Sequence, residues 1–301
     1  MNNRYELFTD GLLILLFHGV IDKHTCEVRN YNRKHIEKDY FAFLLKRLKK
    51  VGVALSIDEV IDFHDRGEAY PACSFAVTFD DGFENNISVA APILADLRIP
   101  ATFYVTSGFI ELNSMSWIDR IEFMLEEVPR GKLKLPWHDK ASVFSSTSSR
   151  INLLNEIRSN VKVSPQINTD DLVQEIGNQL KLPTPTSSDH VLDLKMNWSQ
   201  VKELGSQDHF IIGGHTHTHP ILSFLSAESL RVELDTSLEL LRDRTGVETV
   251  HYAYPEGLQH CYNSLVISEL KSRGIKCCPS AIPGKNTLEQ DLFNLRRTLT
   301  I

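Results

Sequence analysis

Side chains capable of chemistry gather at four points of this 301-residue sequence. Asp80 and Asp81 stand together before Gly82, and His215, His217 and His219 alternate with threonines. Tyr254-Pro255-Glu256-Gly257 forms a turn-like run, and His18 directly follows an apolar stretch. Two histidines and one carboxylate are a common ligand set for a catalytic divalent ion, with one position left open for water. Such an ion polarises a carbonyl and lowers the pKa of its water to roughly 7. A second carboxylate beside the ligand can then serve as general base. The Asp-Asp pair can fill both posts, one side chain facing the metal and its neighbour facing the water. Singly these signals are weak, because Asp-Asp-Gly is commonly a solvated turn and alternating histidines are commonly a surface cluster.

The elements that must position these groups alternate between two patterns. Leu12–Phe17, Phe75–Phe79, Ala101–Val105, Phe210–Gly213, Val247–Tyr254 and Leu295–Ile301 read as strands. Ile36–Val51, Ile57–His64, Asn86–Leu97, Trp198–Leu204, Ala227–Arg244 and Ser264–Arg273 read as helices, the second opened by the capping box Ser56-Ile57-Asp58-Glu59. Strand, helix, strand with short connections implies parallel strands joined by right-handed crossovers. A dinucleotide-binding open sheet would carry a Gly-rich turn after its first strand, and none is present, so a barrel is favoured. In a barrel the catalytic groups follow the carboxyl ends of strands. Asp80-Asp81, the histidines, the Tyr-Pro-Glu-Gly run and His18 all do so, and that joint placement outweighs the weakness of each signal. Residues of about 111–197 lose the alternation and read as a helical insertion within a single domain of 1–301, with polar breaks at Ser142–Ser149 and Pro183–Ser188.

Composition narrows the partners. Hydrophobic residues at 42% and charged residues at 24% suit a globular chain with a sizeable core. The net charge of −7, without a Lys/Arg block interleaved with aromatics, argues against nucleic acid. The apolar run at Leu12–Phe17 is far shorter than the roughly 20 residues of a membrane span. Glu6 and Asp10 precede it where a secretion signal would be basic. Five cysteines with no Cys-x-x-Cys pair fit reduced, packed thiols, and the expected compartment is the cytoplasm.

The motifs resemble a known family. Thr78-Phe79-Asp80-Asp81-Gly82 and His215-Thr216-x-x-His219 look like the two leading signatures of the polysaccharide deacetylases, the NodB-homology or carbohydrate esterase family 4 group. Phe17-His18-Gly19-Val20, Pro100–Val105, Ser116-Trp117-Ile118-Asp119-Arg120, Ala253-Tyr254-Pro255-x-Gly257 and Leu295-Arg296-Arg297 extend the resemblance along most of the chain. It implies a distorted (β/α) barrel of about seven parallel strands. It also implies Asp80 as catalytic base, Asp81, His215 and His219 as ligands of one divalent ion, zinc first, and the backbone N–H of Glu256 as oxyanion donor. Tyr254 and Pro255 would shape that wall, and Trp117 would lie near the sugar. His217 is set apart, since a third histidine ligand would crowd the open position.

The sequence departs from the family pattern twice. The arginine that steadies the base two residues before the motif proline is replaced by Ala253, and Arg297 is the expected substitute, ahead of Arg296. No clear Leu-x-His motif near the C-terminus supplies an acid for the leaving amine, so His18 is the candidate. A strand-end histidine held by a backbone hydrogen bond is the plainer account of it. The implied reaction is removal of an N-acyl group, acetyl or formyl, from an amino sugar, with a lipid-linked or nucleotide-linked precursor as the expected substrate. Two alternatives stand beside it, hydrolysis of a small non-sugar amide and an inactive glycan-binding relative. Oligomeric state has no signature in the sequence.

Overall fold

A computed structural model describes residues 11–299. Glu6 and Asp10, on which the reading of the N-terminus relied, lie outside the described residues, as do the last two residues of the expected final strand. The chain order begins with β1 (Leu13–Phe17), β2 (Gly19–Ile21), β3 (His35–Glu37), α1 (Lys38–Val51), α2 (Ile57–Arg66) and β4 (Phe75–Phe79). A π-helical turn at Asn86–Ala90 leads into α3 (Ala91–Leu97), then β5 (Ala101–Val105), α4 (Ser107–Leu112) and α5 (Trp117–Glu127). β6 (Gly131–Leu133), β7 (Ser142–Phe144), α6 (Thr147–Val161) and α7 (Thr169–Leu180) follow. The chain returns through α8 (Trp198–Gly205), β8 (Phe210–Gly214), α9 (Ala227–Thr245), α10 (Ser264–Ser272) and β9 (Arg297–Leu299). No helix among the described residues is long and apolar enough to cross a membrane.

The central sheet has five parallel strands in the order β8-β5-β4-β1-β9. Beyond β8 the ladder thins to single parallel bridges, Gly214 to Tyr252 and His251 to Cys277. Backbone bonds from Cys278 to Leu292, Ser280 to Leu295 and Arg297 to Ile282 carry the curve on towards β9. The sheet is thus the regular part of a distorted barrel wall, and the remaining staves survive as bridges. The expected strand Val247–Tyr254 is one of them. Thr249 donates its hydroxyl to the Ile212 carbonyl at 2.8 Å, occupying an acceptor on the neighbouring strand with a side chain instead of a ladder N–H.

The parallel strands β1, β4 and β5 are buried at every position, as expected where both sheet faces are covered. Phe17, Phe79, Phe103 and Phe210 run across four adjacent strands in stacked and edge contacts of 4.9–5.5 Å. This aromatic row braces the strands that carry the site, with Phe17 and Phe79 directly preceding His18 and Asp80. Residues 111–197 carry α5, α6 and α7 and also the antiparallel hairpin β6–β7, whose second strand opens the polar stretch Ser142–Ser149. This insertion buries an apolar cluster of its own, including Ile121, Met124, Leu154, Ile157, Val173 and Ile176.

Candidate active site

The turn after β4 sends two adjacent carboxylates in different directions. Asp80 donates its N–H to the Phe17 carbonyl at 3.0 Å, extending the β1–β4 pairing by one residue. Asp81 then takes the left-handed conformation at φ 74° and Gly82 follows at φ 83°. That φ favours glycine, and a Cβ there would also sit 2.8 Å from Ile110 Cδ1.

Asp80 faces Arg297, which holds it in a bidentate pair, Nη1 to Oδ1 at 2.7 Å and Nη2 to Oδ2 at 2.8 Å. The guanidinium is fully buried and fixed from behind by the Ser280 carbonyl at 2.7 Å. Burial works to raise the Asp80 carboxyl, but the charges of Arg297, His215 and His18 and the Arg297 hydrogen bonds outweigh it and hold it below its ordinary range. Asp80 therefore rests ionised. Arg296 points elsewhere, donating to the Pro283 carbonyl on the exposed side.

Asp81 faces the histidines. Its Oδ1 lies 3.3 Å from His219 Nε2 and 3.7 Å from His215 Nε2. His215 Nδ1 is 2.8 Å from the Ala253 carbonyl, which can only accept, so Nδ1 carries the hydrogen and Nε2 keeps its lone pair. Burial pushes the His215 pKa down to about 4, which keeps the ring neutral near pH 7. His219, at φ 62°, stands at the end of a loop tied by several bonds. The N–H groups of His217 and Thr218 donate to Glu233 Oε1 of α9, the N–H of Thr216 to the Tyr252 hydroxyl, and the N–H of His219 to Thr216 Oγ1. The ring of His219 stacks on Phe109 at 5.8 Å.

The ligand atoms of Asp81, His215 and His219 lie within 4.8 Å of one another, the one such metal-capable group among the described residues. Asp81 Oδ1 is buried and makes no hydrogen bond. A buried carboxylate oxygen without a donor is costly unless a cation completes it, so the residues fit a divalent ion. The other oxygen, Oδ2, meets Lys34 Nζ at 3.1 Å. Lys34 also contacts Asp119 at 3.2 and 3.3 Å, and Asp119 is held by Ser116 Oγ at 2.7 Å.

These groups open onto one cavity of about 210 Å³, lined among others by His18, Lys34, Trp117, Arg158, Lys162 and Glu256. His18 Nδ1 is buried with no partner, and burial lowers its pKa. Glu256 sits at φ 58° in the turn, its carboxylate 2.5 Å from Lys162 Nζ. A Cβ on the next residue, Gly257, would meet the Ala281 nitrogen at 2.5 Å. Tyr254 differs from expectation. Its ring stacks on Tyr262 at 4.0 Å and its hydroxyl donates to the Phe293 carbonyl, so it packs into the core behind the cavity and does not line it. Pro255 is likewise buried in the turn, and Glu256 presents the wall. His217 faces a neighbouring groove and pairs with Ser107 Oγ at 2.9 Å, away from the ligand set. Lys34, Arg158 and Lys162 escaped the sequence reading. Only the i, i+4 spacing of Arg158 and Lys162 marked them as a pair on one helix face.

A barrel wall carrying a carboxylate pair and two histidines on its strand ends defines a class, and comparison with known proteins says which. The sequence model of the polysaccharide deacetylases matches residues 68–163 and 165–278, well over half of the chain. The chain belongs to the polysaccharide deacetylase family. No curated protein matches it at a significant level. Among solved structures, the deacetylase PplD of Streptococcus pyogenes, in complex with acetate, superposes with a TM-score of 0.61 at 18% identity, covering 97% of this chain and 93% of that one. IcaB from Ammonifex degensii gives 0.62 at 19% identity, with 97% and 92% covered. The BpsB deacetylase domain from Bordetella bronchiseptica gives 0.57 at 19%, with 97% and 96% covered. At these identities the likeness establishes a shared fold.

Proposed function

We propose that the protein is a metal-dependent hydrolase that removes an N-acyl group, acetyl in the first instance, from an amino sugar of a glycan or glycan precursor. The observation that carries this reading is the opposed pair of carboxylates. Asp80 is locked ionised on Arg297 while Asp81 offers a bare oxygen beside two histidine nitrogens, and both open onto one cavity. Family membership supports a glycan substrate.

Asp81, His215 and His219 would hold the ion, with zinc the first choice for two imidazoles and one carboxylate. When bound, the ion polarises the amide carbonyl and acidifies water. The chain's own residues do the rest. Asp80, kept ionised by Arg297, takes the proton of the attacking water. The backbone N–H of Glu256 is the donor we assign to the developing oxyanion. His18 delivers a proton to the leaving amine. Burial keeps it neutral near pH 7, so it must first take up the proton that Asp80 draws from water. Trp117, at the cavity wall, supplies an apolar face for the sugar ring. The residues of the insertion line the same cavity, which supports one functional unit over 1–301. The buried thiols of Cys261, Cys277 and Cys278 suit a reducing compartment such as the cytoplasm, where lipid-linked or nucleotide-linked precursors are made.

The test is amine release by zinc-loaded protein from a panel of N-acetylated and N-formylated amino sugars set beside small non-sugar amides. Release from the sugars alone supports the reading. Release from the small amides alone replaces it with the other hydrolase.

A further inference from the structure

One wall of the cavity comes from the insertion and not from the barrel strands. Arg158 lies in the last turn of α6 and Lys162 caps it, four residues on, so both project from one face into the cavity. A helix end of this polarity favours cations in any protein. Both are also paired, Arg158 Nη2 with Glu122 Oε1 at 2.6 Å and Lys162 Nζ with Glu256 Oε2 at 2.5 Å. That pairing does not use up their donors. Glu122 engages Arg158 through Nη2, and the Arg158 side chain lines the cavity and keeps 15% of its surface exposed. Lys162 has an ammonium with three N–H groups, and its side chain keeps a quarter of its surface exposed. Guanidinium and ammonium groups together suit an oxyanion, the guanidinium through its planar fork. Lys34 stands across the same cavity, but Asp81 and Asp119 already share its ammonium.

Resting on the reading of this cavity as an amino-sugar site, we propose that Arg158 and Lys162 bind an oxyanion carried by the substrate, a phosphate or a carboxylate on the sugar. The site then selects charged over neutral amino sugars. The insertion supplies that selectivity while the barrel supplies the chemistry. The tie between Lys162 and Glu256 joins the two, because the oxyanion wall and the Tyr-Pro-Glu-Gly turn share an ion pair.

Binding, not turnover, tests this directly. Glucosamine, glucosamine 1-phosphate and 2-amino-2-deoxyglucuronic acid are titrated calorimetrically into the metal-loaded full chain, its Lys162→Met variant and its Arg158→Gln variant. Wild type should bind at least one charged sugar tenfold or more tighter than glucosamine, and the tighter of the two identifies the oxyanion. Each substitution should cut that preference about tenfold, and added salt should shrink it. If Arg158→Gln fails to fold because buried Glu122 loses its partner, Lys162→Met decides alone. Equal affinity for charged and neutral sugars overturns the proposal. So does a preference that survives both substitutions, which would assign it to the metal. Selective binding together with no amine release from any N-acetylated sugar would sink the hydrolase reading and leave the oxyanion wall standing.

Discussion

Arg297 meets Asp80 with both ends of its guanidinium, at 2.7 and 2.8 Å, across 217 residues of sequence. The proposed base, Asp80, is thereby held from the last strand, where the resemblance to the family implied a position now occupied by Ala253. Arg297→Lys should fold, keep its metal and lose about 10²-fold in kcat/KM, the lower range for a disturbed general base. Arg297→Met should cost about 3–5 kcal/mol of stability, since it strands a buried carboxylate. In the Lys variant the acid limb of the pH–rate profile should move to higher pH, because Asp80 loses part of what holds its pKa down. An acid limb that stays in place would remove Arg297 from the mechanism.

Much of this was readable in the sequence because the buried parallel strands are continuous apolar runs and the chemistry begins where each run stops. β1, β4, β5 and β8 appear within one residue of expectation, and Asp80, Asp81, His215 and His219 converge as their positions implied. The last strand starts two residues later than expected. Asn286 takes both the N–H and the carbonyl of Arg296, so among the described residues pairing with β1 begins at Arg297 and runs to Leu299. The helix read at Asn86–Leu97 opens instead with a π turn, where the Asn86 side chain donates to the His18 carbonyl and the Asn85 side chain accepts from Val20. Lys34 was invisible because the carboxylates near it in sequence, Glu37 and Asp39, are not the ones it meets. Its partners Asp81 and Asp119 arrive from β4 and α5. Tyr254 was misplaced because its motif fixes the turn, while the ring's direction depends on Tyr262 and Phe293.

Glu233 should act on the site from a distance. It receives the N–H groups of His217 and Thr218 and the Thr218 hydroxyl, which sets the loop that ends at His219. Glu233→Ala should weaken metal binding roughly 10–100-fold, the usual cost of losing an outer partner of a ligand. Glu233→Gln, which keeps one acceptor oxygen, should recover part of it. Chelator competition reads both, and unchanged affinity in the Ala variant would contradict the account.

Gly82→Ala should be worse than a typical surface change. The backbone there is left-handed and the added methyl meets Ile110. We expect about 1–3 kcal/mol of destabilisation from the strained backbone, with loss of metal affinity as the carboxylates shift. A variant that melts like wild type and binds metal normally would show that the turn is not constrained as described.

Glu126 gives the pH prediction. Its carboxylate accepts the N–H groups of Glu27, Val28 and Arg29 at 3.0, 2.7 and 3.0 Å. Burial tends to raise its pKa, but those backbone bonds lower it below the ordinary value. A depressed carboxyl contributes stability that is fully present above the unfolded pKa of about 4.3 and is lost as pH falls through the lower folded value. Glu126→Gln should therefore melt about 2–4 °C lower than wild type near pH 7. The gap should close at pH values below the folded pKa. A gap independent of pH would mean that the charge is not what holds the loop.

The central claim is that Asp81, His215 and His219 hold one catalytic ion. Metal content of purified protein, wild type beside Asp81→Ala and His215→Ala, tests it most directly when amine release from N-acetylated sugars is assayed in the same samples. Wild type should carry one divalent ion per chain, lost from both variants together with activity. A chain that binds no ion, and stays inactive after zinc, cobalt or manganese is added, would contradict it.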